Sequence, residues 1–172
     1  MITNDNWRNS AVSVTKYNPR FRDANGIYLK QDWCGFGDVG KDFEGRTLSL
    51  SEYYLIEERY IKAALIFARF HDIDAFILRN VEKLPSASYN LPDKKQLVEL
   101  QQSIHEGISL PIELAPSVIK LILRELLWAN IFAKQVNNFS IRFGYDFYMY
   151  FNSDKSLETI IPKIQNIGLF VR

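Results

Sequence analysis

The segment from Phe139 to Phe151, F-S-I-R-F-G-Y-D-F-Y-M-Y-F, carries an apolar or aromatic residue at every odd position. Such alternation is typical of extended chain with one buried face. The segment is too long for one strand, because strands usually run to about five or six residues. We therefore predict a hairpin with a three-residue turn at Gly144-Tyr145-Asp146, which sets Phe143 opposite Phe147 and keeps the odd residues on one face. The even residues Arg142, Tyr148 and Tyr150 then share the opposite face.

The clearest helix signal begins at Ser49. Ser49 and Glu52 have the spacing of a capping box, in which the hydroxyl and the carboxylate each accept a hydrogen bond from the other residue's backbone amide. Apolar side chains then recur at steps of three and four residues as far as Phe70. This spacing predicts an amphipathic helix that ends near His71-Asp72.

Other segments complete an α+β pattern. Val12 and Val14 alternate with polar residues, which predicts a strand over Ala11–Tyr17. We also predict a buried strand (Ala75–Val81), a helix capped by Asp93 (Lys94–Ser103), an apolar core helix (Pro116–Phe132), a short helix containing Pro162 (Ser156–Gln165) and a closing strand (Gly168–Arg172). Strands and helices are interspersed and the hairpin imposes antiparallel pairing. The expected fold is therefore α+β, with an antiparallel or mixed sheet packed with about four helices.

The composition suits a single domain over residues 1–172. The chain has 172 residues, 47% of them hydrophobic, which is enough for one sizeable core. Its net charge of +1 does not favour binding of nucleic acid by bulk attraction. The one cysteine, Cys34, excludes an internal disulfide. The opening segment is polar and no apolar run reaches about 18 residues, so we expect a cytoplasmic protein that binds neither membrane nor nucleic acid directly.

A glycine-rich loop, W-C-G-F-G-D-V-G-K-D-F over residues 33–43, raises the question of phosphate binding. Gly35, Gly37 and Gly40 match the G-x-G-x-x-G pattern of dinucleotide sites, and Lys41 follows the last glycine. A phosphate loop needs a buried strand before it and a helix directly after it, and neither flank has that character. Asp42 also stands where a magnesium-binding Ser or Thr is expected. We interpret the segment as a tight surface loop, and a small nucleotide-binding protein or enzyme using it is the alternative.

No other pattern predicts catalysis, a cofactor or a metal site. His71 and His105 have no ligand spacing, and Cys34 has no recognised nucleophile context. We therefore predict that the protein is not an enzyme. Tyr148 and Tyr150 could stack on RNA bases beside Arg142, but the near-neutral charge argues against that alternative. Tyrosines turned away from the core are also the residue type that anchors protein interfaces.

Several longer motifs resemble those of one bacterial family. They are V-T-K-Y-N-P-R-F-R-D-A-N-G-I-Y, then D-W, D-V-G-K-D-F-E-G, L-S-L-S-E-Y-Y-L-I-E-E-R-Y-I-K-A, and later R-F-G-Y-D-F-Y-M-Y. The chain is similar in these motifs to small proteins associated with polymorphic toxins, the immunity proteins of contact-dependent growth inhibition systems. The likeness is densest over Val14–Ala63 and Arg142–Tyr150. The chain departs from the family pattern at Cys34–Gly37, where relatives tend to carry Thr, Ser and Ile.

The resemblance implies a protein that inhibits a partner and has no chemistry of its own. Immunity proteins bind the C-terminal toxin domain, frequently a nuclease, of a sibling cell's effector as a heterodimer and block its active site or its access to substrate. Loops on a stable scaffold suit such selective binding. We therefore place the toxin-binding surface on the loop and on the polar hairpin face, with Asp38, Lys41, Asp42, Glu44, Arg142, Tyr145, Asp146, Tyr148 and Tyr150 as candidate residues.

Overall fold

The structure, a computed structural model, describes residues 12–85, 92–136 and 138–172. The polar opening segment, Ala11 of the predicted first strand and the turn-rich residues 86–91 lie outside the described residues. The helices are α1 (Leu50–Phe70), α2 (Lys94–Ser103), α3 (Ala115–Leu123) and α4 (Ile161–Asn166). The strands are β1 (Val12–Thr15), β2 (Asp42–Phe43), β3 (Arg46–Thr47), β4 (Ala75–Lys83), β5 (Ser109–Pro111), β6 (Leu127–Ala133), β7 (Ser140–Phe143), β8 (Tyr148–Asn152) and β9 (Phe170–Val171).

Seven of these strands form one sheet in the order β5-β4-β6-β7-β8-β1-β9, and β2 and β3 form a separate two-stranded ribbon. Every pairing among the described strands is antiparallel. The predicted α+β fold is therefore confirmed, with an antiparallel sheet. Strand β1 lies between β8 and β9, so it joins the C-terminal hairpin to the end of the chain.

The helices cover the apolar face of the sheet. α1 lies against α3 and α4, and α3 also contacts α2. The ring of Phe67 in α1 stacks on Phe151 of β8, with 4.3 Å between the centroids and 1° between the planes. The predicted capping box is present, since the Glu52 amide donates to the Ser49 hydroxyl oxygen and the Ser49 amide donates to the Glu52 carboxylate. No helix in the described ranges is long and apolar enough to cross a membrane.

The predicted core helix over Pro116–Phe132 is wrong in its second half. α3 ends at Leu123, and the backbone then enters the left-handed region at Glu125 with a φ of 58°. The remaining apolar residues form β6, which pairs with β4 and β7. A continuous apolar run suits a buried strand as well as a buried helix, so the pattern alone did not separate the two.

The hairpin forms with its turn displaced by one residue. The Gly144 amide donates to the Tyr148 carbonyl at 2.8 Å, so the three-residue loop is 145–147 rather than 144–146. Phe143 consequently lies opposite Met149 and not, as predicted, opposite Phe147. The odd residues of both strands are buried as predicted. Arg142, Tyr148 and Tyr150 share the other face as predicted, but Arg142 lies opposite Tyr150, whereas the predicted register sets it opposite Tyr148.

The C-terminal helix is shorter than the predicted Ser156–Gln165. Pro162 lies in the first turn of α4, where its missing amide costs no helical hydrogen bond. The residues before it form turns, and the Ile160 amide donates to the Leu157 carbonyl at 3.0 Å. The proline therefore starts this helix and does not interrupt it.

A buried ion cluster joins three helices. The Arg124 side chain is 2% exposed, and its Nε and Nη2 donate to the two carboxylate oxygens of Glu57, each at 2.7 Å. Its Nη1 donates to Asp93 at 2.9 Å. Asp93 occupies the N-cap position of α2 as predicted, but its carboxylate bonds Arg124 and makes no capping hydrogen bond. The cluster fixes the end of α3 against α1 and the start of α2.

Candidate functional site

Several backbone amides of the glycine-rich loop are hydrogen-bonded within the protein. Residues 36–38 form one 3₁₀ turn, and the chain then enters the β2–β3 ribbon and not a helix. The amides of Cys34, Asp38, Val39, Gly40 and Lys41 all donate to oxygens of the protein. A phosphate cradle needs successive amides pointing outward at a helix N-terminus. This geometry does not favour a phosphate-binding loop.

The three glycines of the loop have unrelated surroundings. A Cβ at Gly35 would lie 2.7 Å from a carboxylate oxygen of Glu125, so a side chain at this position requires the exposed Glu125 side chain to move. Gly40 has a φ of 88°, which disfavours other residues. Gly37 has open space around it. Within the G-x-G-x-x-G match, Gly35 lies at a close approach and Gly40 lies at a turn. The structure gives no reason for a glycine at position 37.

Buried aromatic residues anchor the loop to the core. Trp33 and Phe36 are buried, and their rings meet Phe147 at 5.0 Å and Tyr53 at 4.8 Å between centroids, in edge-on arrangements. The Lys16 ammonium lies 4.0 Å from the Trp33 ring centroid. Lys16 also pairs with Asp32 at 2.8 Å, and burial lowers the pKa of Lys16 despite this partner. The loop is thus a fixed feature of the surface.

Cys34 does not have the environment of a nucleophile. Its amide donates to the Asp38 carboxylate at 2.9 Å, and its Sγ lies 3.5 Å from the same oxygen. Partial burial of the thiol, together with the carboxylates of Asp38 and Asp146, raises the pKa of Cys34 to about 11. The thiol is therefore protonated near neutral pH, whereas the nucleophilic form is the thiolate. The contribution of Asp146 also shows that loop and hairpin tip lie side by side.

The hairpin tip has an unusual backbone. Asp146 and Phe147 both adopt the left-handed region, with φ of 61° and 59°, which is uncommon for a bulky residue. Phe147 is buried between the rings of Trp33, Tyr53 and Tyr60, and its carbonyl accepts a hydrogen bond from the Tyr60 hydroxyl at 2.6 Å. This packing holds the tip in its strained conformation.

A cleft opens between the loop, the hairpin tip and the α3–β6 turn. Its walls come from Cys34, Leu84, residues 122, 123, 125, 127 and 128, and residues 143–148, and they enclose about 270 Å³ of mainly apolar space. Tyr145, at 81% exposure, stacks on Trp128 at its edge with 5.4 Å between centroids. We call this feature the tip cleft.

The structure brings only part of the predicted surface together. Asp146, Tyr145 and Tyr148 line the tip cleft. Asp38 and Lys41 pair with each other at 2.8 Å on the adjoining loop, where Asp38 also bonds the cleft residue Cys34. These residues form the coherent part of the candidate surface.

The other predicted residues lie apart or are partly covered. The Asp42 carboxylate accepts a hydrogen bond from the Thr47 hydroxyl, and Glu44 accepts one from the Gln31 amide at 3.3 Å. Arg142, Tyr148 and Tyr150 are half-buried, although we expected the two tyrosines to be exposed. The Arg22 guanidinium donates to the Tyr148 hydroxyl, and the two tyrosine rings stack on each other at 6.4 Å.

Two residues of the tip cleft escaped the sequence prediction. Trp128 and Glu125 fell within the segment assigned to a core helix, so the apolar pattern did not indicate an exposed Glu125 at a turn or a half-buried Trp128 at the start of β6. A second depression, of about 330 Å³, lies on the other side of the loop next to Glu44. Its charged residues are largely paired within the protein, as Arg46 is with Glu52 and Asp32 with Lys16.

His71 and Ser153 approach one another without forming a catalytic pair. The Ser153 hydroxyl donates to the Lys155 carbonyl at 3.0 Å and accepts from the Lys155 amide at 2.9 Å. His71 Nε2 also lies 3.0 Å from this hydroxyl. His71 Nδ1 is buried and has no hydrogen-bond partner among the described residues, so no carboxylate orients the imidazole as a catalytic triad requires. Among the described residues, no cluster of three or more His, Cys, Asp or Glu side chains is arranged to hold a metal ion.

The comparisons with known proteins do not identify a family for this chain. No family model matches it, and no curated protein or solved structure is significantly similar to it. The resemblance to immunity proteins therefore stays a prediction from sequence motifs.

Proposed function

We propose that this chain is an immunity protein that binds and neutralises a cognate toxin domain as a heterodimer. The observation that carries the proposal is the convergence of the glycine-rich loop and the hairpin tip on one apolar cleft bordered by an exposed tyrosine. Tyrosine and tryptophan are enriched at the energetic centres of protein interfaces. The cleft is built on fixed elements, so little ordering is needed when a partner binds.

The surroundings of the groups that a nucleotide-binding protein or enzyme would use support the same proposal. Five of the loop amides donate to oxygens of the protein, the Cys34 thiol is protonated near neutral pH, and His71 Nδ1 has no described partner that would orient it as a base. These groups therefore do not favour the enzyme alternative. An inhibitor of a lethal toxin must bind tightly, and we expect nanomolar affinity, about −12 kcal/mol.

Growth rescue tests the proposal. The C-terminal domain encoded immediately upstream of this chain's gene is expressed in a sensitive strain, alone or together with this protein. We expect the domain to arrest growth, and we expect this protein to restore growth and copurify with the domain at equal stoichiometry. An immunity protein from an unrelated toxin system serves as the specificity control. A harmless upstream domain, or arrest that this protein does not relieve, would contradict the proposal.

A further inference from the structure

The tip cleft has the size of a site for one or two side chains. Its volume of about 270 Å³ is below the roughly 300–1,000 Å³ typical of pockets for small-molecule ligands. Apolar atoms dominate its walls, to which Leu127, Phe143 and Trp128 contribute. A pocket of this kind at an interface receives a bulky anchor residue from the partner.

The charged residues that line the tip cleft are acidic. Glu125 and Asp146 are the charged residues among its described walls, and both are exposed and acidic. Neither forms an ion pair with a described residue. Asp38 beside them is already paired with Lys41. A partner residue that reaches this rim therefore meets two carboxylates without a partner cation, and a Lys or Arg complements them.

The backbone is in the left-handed region at both rim carboxylates. Glu125 and Asp146 each have a left-handed backbone, with φ of 58° and 61°, and Phe147 beside them has a φ of 59°. Strained residues persist only where packing determines them, and they cluster at functional sites. The close approach of Glu125 to Gly35 further ties the rim to the glycine-rich loop.

We propose that the tip cleft binds a bulky apolar side chain of the toxin domain and that an adjacent Lys or Arg of the toxin pairs with Glu125 and Asp146. This inference rests on the proposed function for the identity of the partner. The chemistry of the cleft itself is independent of that identity and can be tested separately.

Short peptides test the chemistry. Acetyl-Leu-Arg-amide is titrated into the isotopically labelled protein, with acetyl-Leu-Glu-amide and acetyl-Ser-Arg-amide as matched controls. We expect the first peptide alone to shift the resonances of Trp128 and Tyr145. Equal binding of the Leu-Glu peptide, or shifts elsewhere on the surface only, would overturn the proposal.

A pair of double variants tests the carboxylates. Glu125→Gln with Asp146→Asn removes both rim charges, and Asn tolerates the left-handed backbone. We expect about tenfold weaker binding of both the Leu-Arg peptide and the toxin domain, since each exposed pair contributes modestly. The control, Asp154→Asn with Glu158→Gln, changes two exposed acidic residues beyond the other end of β8 and leaves both affinities unchanged.

The outcomes separate the two proposals. If the wild-type protein rescues growth and the Glu125/Asp146 double variant binds the toxin domain with full affinity, the placement at the tip cleft is wrong and the immunity function stands. If the wild-type protein does not rescue growth, the immunity function fails and with it the toxin as occupant. A concentration-dependent dimer that the Leu-Arg peptide dissociates would also overturn the toxin as occupant, because the exposed Leu29-Lys30 of a second copy has the same chemistry.

Discussion

Arg124 is a single residue whose loss should strongly lower the stability of the fold. Replacing it by Met leaves Glu57, which is 3% exposed, as a buried carboxylate without its cation. Removing one partner of a buried pair typically costs about 3–5 kcal/mol, and we expect Arg124→Met to lower the free energy of unfolding by that amount. Urea unfolding followed by circular dichroism measures the change.

Two further variants check this explanation. Arg79→Met removes a half-exposed arginine whose Nη1 lies 3.7 Å from Glu106, and an exposed pair of this kind contributes about 0–1 kcal/mol. Arg124→Met combined with Glu57→Leu removes both main charges and should recover much of the lost stability. A double variant less stable than Arg124→Met alone would refute the idea that the unpaired carboxylate causes the loss.

Single residues also show what the spacing of a motif cannot predict. Gly35, Gly37 and Gly40 are correctly spaced for a nucleotide site, but the spacing does not reveal where their amides point. The flanking sequence predicted a surface loop, and the structure confirms one. The carboxylate of Glu125 that approaches Gly35 belongs to a residue 90 positions away in sequence, so no local pattern could predict the contact.

At the scale of elements, the hairpin tip depends on Phe147. Phe147→Ala removes the ring that packs between Trp33, Tyr53 and Tyr60 but keeps a Cβ on the left-handed backbone. We expect a loss of about 3–5 kcal/mol in unfolding free energy, typical of a buried Phe truncated to Ala. Thermal and urea unfolding measure this loss, and nuclear magnetic resonance should show Tyr145 leaving its stack on Trp128.

Phe21 provides the matched control for this change. Phe21 is 38% exposed and lies outside the core, so Phe21→Ala should cost well under half as much. If Phe147→Ala leaves the unfolding free energy and the Tyr145 resonances unchanged, the ring does not hold the tip.

Elements with a strong local signal were predictable, and those decided by tertiary pairing were not. The capping box and periodicity of α1 predicted that helix within two residues of its observed end. The hairpin strands were predicted from alternation, but alternation does not specify the closing hydrogen bond, and the turn lies one residue later than predicted. The segment after Leu123 became β6 because β4 and β7 pair with it on both sides, and a single sequence carries no direct sign of such pairing.

At the scale of the whole molecule, the tip cleft is assembled from segments far apart in the chain. Cys34, five residues of the segment 122–128 and residues 143–148 meet there. The sequence predicted the first and third segments as surface features, but the second was assigned to a predicted core helix. Two of the three segments were therefore visible as separate motifs, while their contact depended on the sheet order.

The shifted pKa values of several ionisable groups make the stability of the whole molecule depend on pH. Burial lowers the pKa of His71, as does the charge of Lys155, while Asp154 and Asp72 act in the opposite direction. Partial burial alone would raise the pKa of Asp93, but the hydrogen bond from Arg124 and the nearby cations outweigh it and lower that pKa. Burial raises the pKa of Tyr53 well above its ordinary value.

Together these pKa shifts define the pH range in which the protein is most stable. The lowered His71 pKa contributes stability that is complete above about pH 6.5, the histidine pKa of the unfolded chain. This stability is lost as the pH falls toward the pKa of His71 in the folded state. The lowered Asp93 pKa contributes stability that is present above about pH 3.9 and is lost below it. The raised tyrosine pKa contributes stability that is present below about pH 10 and is lost as the pH rises further.

His71 should therefore cause the first loss of stability on mild acidification. We expect the urea midpoint of the wild-type protein to fall between about pH 8 and about pH 5.5, because over that range the unfolded chain binds a proton that the folded chain resists. His71→Gln should show a smaller fall, whatever its own stability at pH 8, since the comparison uses the difference between the two pH values. His105→Gln, at an exposed position, should retain the wild-type fall. An undiminished fall in His71→Gln would assign the acid sensitivity to another group and leave the buried imidazole with a packing role against Phe67 and Phe139.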